Sequence, residues 1–271
     1  MESALGHRVA MRRLFAEHGI GQPAFAAVRT LHEGRAALET VGAPAILRPA
    51  NGPRGRGVFV LESADDLERH LHAALAESPT QEAILERPGE GIGLVAVVDV
   101  ATGHVELAEA SRPPSSGWFV PSALFGDALA RVEDAAVRAV RVVGIPDGVA
   151  CLELVAAEER VEVIDVSAAP PRPELAAVLR AGAEQPAAVR LLSGPPGPLP
   201  PGRIRRIGTL DKVLAFPGVA AAEVALAVGD TIEPVHADDE PHGYVLATGA
   251  TNIQAVERAE AAARLVDVEV W

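Results

Sequence analysis

Two acidic residues, Glu153 and Asp165, stand inside a pair of mostly apolar runs, Gly148–Val155 and Val161–Ser167, joined by the polar stretch 157–160. A carboxylate on a buried strand face is costly unless it is paired or metal-bound. Antiparallel pairing of the two runs can set both groups on one face. Open oxygen positions there suit Mg²⁺, which binds through one or two carboxylates together with substrate phosphates. The alternative is that one or both face solvent on an edge hairpin. A second constellation begins with the apolar run Ala43–Leu47, which ends in Arg48 and Pro49. The loop Ala50-Asn51-Gly52-Pro53-Arg54-Gly55-Arg56-Gly57 and a second apolar run, Val58–Leu61, follow. Glycines let a turn bring backbone N–H groups close to phosphate oxygens, so a loop holding Asn51, Gly55 and Gly57 is able to cover a nucleotide. A plain turn between two strands is the competing reading. Cys151 shares the parity of Glu153, and we read it as a buried, inert thiol.

The elements that must position these groups follow from periodicity and punctuation. Val9, Met11, Leu14 and Phe15 form a helical stripe among Arg12, Arg13 and Glu17 that stops at Gly19. A strand is predicted over 23–28 and a helix over 30–40. Ser63 and Asp66 resemble a capping box that opens a helix to about Glu77. Further strands are predicted over 83–85, 93–100 and 104–110, then an extended loop over 112–118. A helix over 127–143 closes at Gly144 and Pro146. The Pro/Gly-rich segment 193–202 reads as a stiff linker. Beyond it, strands over 203–207, 219–228, about 231–235, 244–248 and 266–270 and a helix over 253–264 make a small C-terminal α/β lobe.

Composition narrows the function classes. The 271 residues are 49% hydrophobic and carry a net charge of −13, so the chain is globular and a poor partner for nucleic acid. Only one of its 24 basic residues is lysine, Lys212. That scarcity reflects either coding bias or selection on a site. A single cysteine excludes an internal disulfide framework and a cysteine zinc cluster. The sequence has no apolar run of membrane-spanning length and no signal-peptide core, and we expect a soluble, cytoplasmic protein with no membrane partner.

Taken in order, these pieces resemble the ATP-grasp superfamily, most closely the carboxylate-amine ligases that include L-amino acid ligases and relatives of biotin carboxylase. The resemblance covers about residues 5–192. Residues 203–271 look like the C-terminal lobe of the same ligases, carried by Leu210–Val219, Val228-Gly-Asp230, Gly243–Gly249 and the closing helix. It implies an α+β fold, with two α+β subdomains in 1–192, a hinge near 83–91, the linker 193–202 and the lobe 203–271. It also implies ATP and Mg²⁺ as cofactors. Arg48 stands where the family has a phosphate-binding lysine, and a second family lysine falls near His7, which is too short to replace it. Glu86 and Glu90 match the residues that read adenine and ribose, and Trp118 falls at a wall of the carboxylate site. Glu153, Asp165 and Ser167 match the metal ligands, with serine in place of asparagine. Ala169 replaces the arginine that stabilises the acyl-phosphate stage, and Arg172 substitutes for it only if the strand end bends.

The family also carries a Rossmann-like lobe before the first helix, and its absence here implies a truncated, divergent protein with altered or lost ligase activity. A homo-oligomer or a partner protein would then cover the surface that this lobe leaves. The alternatives are an active ATP/Mg²⁺-dependent ligase acting on a small carboxylate or amino acid, alone or completed by a partner chain, and a repurposed, ATP-independent enzyme using the same pocket.

Overall fold

The computed structural model describes residues 4–52, 56–111, 116–234 and 241–271. In chain order the elements are α1 (Arg8–Glu17), β1 (Phe25–Val28), α2 (Leu31–Val41), β2 (Ala45–Pro49), β3 (Phe59–Leu61), α3 (Ala64–Ala76), β4 (Ala83–Glu86) and β5 (Ile92–Asp99). Then come β6 (Val105–Ala110), β7 (Gly117–Val120), α4 (Gly126–Val143), β8 (Val149–Ala156), β9 (Val161–Ser167), α5 (Pro173–Gly182) and β10 (Ala187–Leu191). The remainder is β11 (Gly202–Ile207), α6 (Asp211–Leu214), β12 (Val219–Val224), β13 (Thr231–Ile232), β14 (Gly243–Thr248), α7 (Asn252–Ala263) and β15 (Val268–Val270). The chain forms two compact units, the first from the residues up to Val105 with Leu124–Pro170, the second from Glu106–Ala123 with the described residues from Pro171 onward. The mixed α+β class agrees with the sequence. Among the described residues no helix is long and apolar enough to cross a membrane.

In the first unit a four-stranded sheet runs β1-β4-β2-β3 with antiparallel pairing throughout. Strand alternation divides its two faces. Leu47 and Leu85 pack with Leu61, Leu67 and Leu71 beneath α2 and α3, while Ile84 packs with Val9 of α1 on the other face. That second face also carries Arg48 and Glu86. The same unit pairs β5 with β8 and β8 with β9, again antiparallel. Ser63 caps α3 as predicted, accepting from the Asp66 N–H, but Asp66 returns its carboxylate to the Glu62 N–H and the Ser63 hydroxyl.

Arg12 joins these layers. It was expected among the polar residues of α1, yet it is only 1% exposed. Its Nε donates to Glu86 Oε1 at 2.5 Å, and its Nη1 and Nη2 donate to the Val163 and Ile164 carbonyls at 2.6 and 2.8 Å. Those carbonyls lie where the β8–β9 register slips, between the pairs Glu153–Asp165 and Leu154–Val163. A bulge bends its strand and leaves backbone groups unpaired, and here a guanidinium takes them up. Gly21 brings the chain after α1 against the same strand: its carbonyl accepts from the Val163 N–H at 2.8 Å, and a Cβ there would meet the Val161 carbonyl oxygen at 2.2 Å.

The second unit contains the antiparallel order β12-β14-β10-β7-β6 and a small sheet, β13-β11-β15. Three features differ from the sequence expectation. Gly117–Val120 is a strand held between β6 and β10 rather than an extended loop. The strand begun at Val219 ends at Val224, and α5 with β10 occupies residues that no pattern had assigned. Arg190, on β10, is buried and donates to Glu260 of α7 at 2.5 Å and to the Ser116 carbonyl at 3.1 Å. In the small sheet Glu269 accepts from Arg206 at 2.6 Å and also pairs with Arg205.

Two outcomes follow. Replacing Arg12 with Met leaves a buried carboxylate and two carbonyls without their donor, and we expect a loss of about 3–5 kcal/mol of stability, read by urea unfolding. The double variant R12M/E86Q should recover part of it. The Arg206 and Arg205 hydrogen bonds depress the Glu269 pKa from 4.5 to about 2. Its stabilisation is therefore present above pH 4.5 and fades as pH falls toward 2. Both tryptophans, Trp118 and Trp271, lie in the second unit, so acid titration of their fluorescence should show a flatter profile for Glu269→Gln in that window.

Candidate functional site

The β8–β9 ladder sets Glu153 directly opposite Asp165, and Cys151 directly opposite Ser167. With no irregularity between these pairs, all four side chains share one face, while Leu152 and Val166 are buried on the other. Glu153 is exposed and Asp165 half-buried, and Asp165 Oδ1 accepts from the Val166 N–H at 2.9 Å. Cys151 is half-buried rather than buried. The bulge at Ile164 keeps Val163 in the core although Asp165, two residues on, faces outward. Without that slip, strand parity would place Val163 and Asp165 on the same side. Among the described residues no group of three or more His, Cys, Asp or Glu is placed to hold a metal ion.

A cavity of about 210 Å³ lies beside it, lined by Gly6, His7, Arg8, Gly52, Asp165 and Ser167 among others. Three distant stretches meet there: the start of α1, the glycine loop and the end of β9. Gly52 has φ +137°, and a Cβ would meet the Glu77 carbonyl oxygen at 2.6 Å, so only glycine lets the loop run this close. His7 is the N-cap of α1: its Nδ1 accepts from the Ala10 N–H, and its Nε2 sits 3.6 Å from Glu82. The next residue, Arg8, carries a cation to the cavity instead. Its Nη1 donates to the Pro49 carbonyl at 3.2 Å, and its buried Nε has no hydrogen-bond partner among the described residues. Sequence reasoning passed over Arg8. The signal was available, because a residue that caps a helix folds back on its own first turn and leaves the following residue to face outward.

The remaining sequence-predicted residues are placed as follows. Arg48 is buried, with Nε 3.4 Å from Glu86 Oε2, and Glu86, 2% exposed, holds Arg12 on its other oxygen. The Asn51 side-chain carbonyl accepts from Ser78 at 2.7 Å and Thr80 at 2.9 Å, tying the loop to the turn after α3. Gly57 has φ +73° beside Pro49 and Glu77, and Gly55 lies outside the described residues. Glu90 is exposed and lines a separate surface recess with the β8–β9 turn. In the second unit, Arg172 stacks over Trp118 with its Cζ 5.7 Å from the ring centre, and its Nε lies 3.2 Å from Glu174.

Comparison with known proteins agrees with this architecture. Residues 198–270 match the family model described as L-amino acid ligase C-terminal domain 2. A D-alanine–D-alanine ligase from Gloeobacter violaceus is 30% identical over 178 residues, 60% of this chain and 58% of the relative. The N-terminal section of the carbamoyl phosphate synthase large chain from Aquifex aeolicus is 38% identical over 80 residues, 28% of this chain and 14% of the relative. The chain thus spans well under two thirds of these relatives. Among solved structures, the L-amino acid ligase from Bacillus licheniformis superposes with a TM-score of 0.74 at 16% identity, covering 98% of this chain and 72% of that one. Biotin carboxylase from Campylobacter jejuni superposes with a TM-score of 0.67 at 15% identity, covering 98% and 68%. With its paired sheets, its glycine loop and its opposed acidic pair, the chain has the ATP-grasp fold of these ligases, and residues 198–270 carry their C-terminal domain.

Proposed function

We propose that the chain binds the phosphate end of ATP or ADP with Mg²⁺ in the cavity at the start of α1, and that its ligase chemistry is altered or lost. The observation that carries this reading is the meeting of Arg8, Gly52, Asp165 and Ser167 around one cavity. Arg8 supplies a charged donor for phosphate oxygens, and the glycine loop supplies close backbone. Both oxygens of Glu86 already hold guanidinium groups, so we assign it the anchoring of Arg48 rather than contact with a base or ribose.

The donor set fits a hard cation. Glu153, Asp165 and Ser167 offer only oxygen, and the two carboxylates sit opposite each other on an accessible face. When bound, Mg²⁺ would neutralise phosphate charge and hold the oxygens in place. Transfer of a phosphoryl group to a carboxylate also needs cations aimed at the developing charge. The position matched to the family arginine is Ala169, and Arg172 is engaged with Trp118 and Glu174. We therefore read binding as retained and the acyl-phosphate stage as weakened. A second reading, an active ligase joining a small carboxylate or amino acid to an amine, is favoured by the names of the ligases matched across both parts of the chain.

Mn²⁺ is a paramagnetic stand-in for the metal, and its electron paramagnetic resonance in the presence of ADP reports immobilisation. Wild type should immobilise the ion, and Asp165→Asn should weaken this about tenfold or more. Arg8→Met should weaken ADP binding about 10- to 100-fold with or without metal, the range expected for one charge-assisted hydrogen bond of about 1.5–3 kcal/mol. Unchanged binding in both variants would contradict the proposed site. ADP release from ATP that depends on added amino acids would favour the active ligase instead.

A further inference from the structure

The outer face of α4 carries a charge pattern that the nucleotide site does not use. Asp127, Arg131, Asp134 and Arg138 are all exposed. At about 100° per residue they lie within a stripe of about 60°, and Asp127 and Arg138 are about 16 Å apart along the axis. Arg138 lies 3.7 Å from Asp134, and Arg131 donates to the Glu158 carbonyl at 2.7 Å, which holds the helix against the β8–β9 turn. A recess of about 600 Å³ follows this stripe, and its α4 lining is Asp127, Ala130, Arg131, Asp134, Ala135 and Arg138. It shares Arg131 and Val161 with a larger recess of about 960 Å³ floored by Ile92, Leu124 and Ala128.

That lining is self-complementary. Placed antiparallel against a second α4 about a two-fold axis midway between residues 132 and 133, Asp127 meets Arg138 and Arg131 meets Asp134, with Ala130 and Ala135 on the two flanks of the stripe. Each charge of the stripe maps onto its opposite. An isologous contact requires such a surface, because the same patch must serve both partners. We infer that this face of α4 docks a second copy of the chain. Exposed ion pairs contribute little each. Their part is to set register and exclude parallel or shifted pairing, while the apolar recess at the Leu124 end supplies buried area. The inference rests on α4 alone and does not depend on nucleotide binding.

Sedimentation equilibrium of the full chain tests it. Wild type should dimerise, with an association that weakens as salt rises. Arg131→Asp sets aspartate against Asp134 of the other copy, and Asp134→Arg sets arginine against Arg131; each alone should be monomeric. An equimolar mixture of the two variants should form heterodimers, because both pairs are then restored, and the double variant R131D/D134R should dimerise by itself. These rescues separate lost contact from lost fold. Wild type that stays monomeric at about 100 µM, or single variants that associate as wild type does, would overturn the inference.

Discussion

The buried guanidinium of Arg12 is the constraint around which the first unit is organised. Burying a charge is tolerable only when it is paired and its donors are satisfied. Here one carboxylate from β4 and two carbonyls from β9 meet it within hydrogen-bond distance. The carboxylate and the two carbonyls belong to different sheets, so satisfying one side chain sets α1, the four-stranded sheet and the β8–β9 hairpin in relation to one another. The Gly21 carbonyl bound to the Val163 N–H locks the same junction from the chain that follows α1.

The candidate site is a consequence of that junction. Because Arg12 holds the β9 bulge, Val163 stays in the core while Asp165 and Ser167 turn outward beside the first turn of α1. Because Arg12 also holds Glu86, the second oxygen of Glu86 is left to face Arg48 across the sheet. The cation that reaches the cavity is Arg8, one residue from the position at which the sequence directed attention. The helix cap explains the displacement: His7 is consumed by its own first turn and by Glu82. The proposed nucleotide binding therefore stands on groups that the fold leaves available, and the proposed weakening of the acyl-phosphate stage stands on Ala169 and on an Arg172 already stacked on Trp118.

Much of this was legible in the sequence, for physical reasons that also explain the gaps. Glycine and proline punctuation placed nearly every strand and helix of the first unit, and antiparallel pairing of two mostly apolar runs offered Glu153 and Asp165 one shared face, with a solvent-facing edge hairpin as the alternative. The burial of Arg12 was readable in principle, since it falls three residues from both Val9 and Phe15, inside the apolar stripe. The bulge at Ile164 was not, because no local propensity marks an extra residue whose partner is a distant guanidinium. Strand β7 was hidden by its neighbours Arg112–Ser116, whose Pro and Ser content reads as loop. Helix α5 and β10 lay in an alanine-rich stretch with little periodic contrast. Asn51 and Gly57 were noted for a loop over phosphate, and the contacts of the one with Ser78 and Thr80 and of the other with Pro49 and Glu77 also belong to the scaffold of that loop.

Calorimetric titration of the wild-type chain with ATP, with and without Mg²⁺, tests the central claim most directly. The account predicts saturable binding in the micromolar range that strengthens when the metal is present, because Arg8, the glycine loop and the Glu153–Asp165 pair would then act on the same phosphates. An absence of heat and of competition by ADP under both conditions would contradict it.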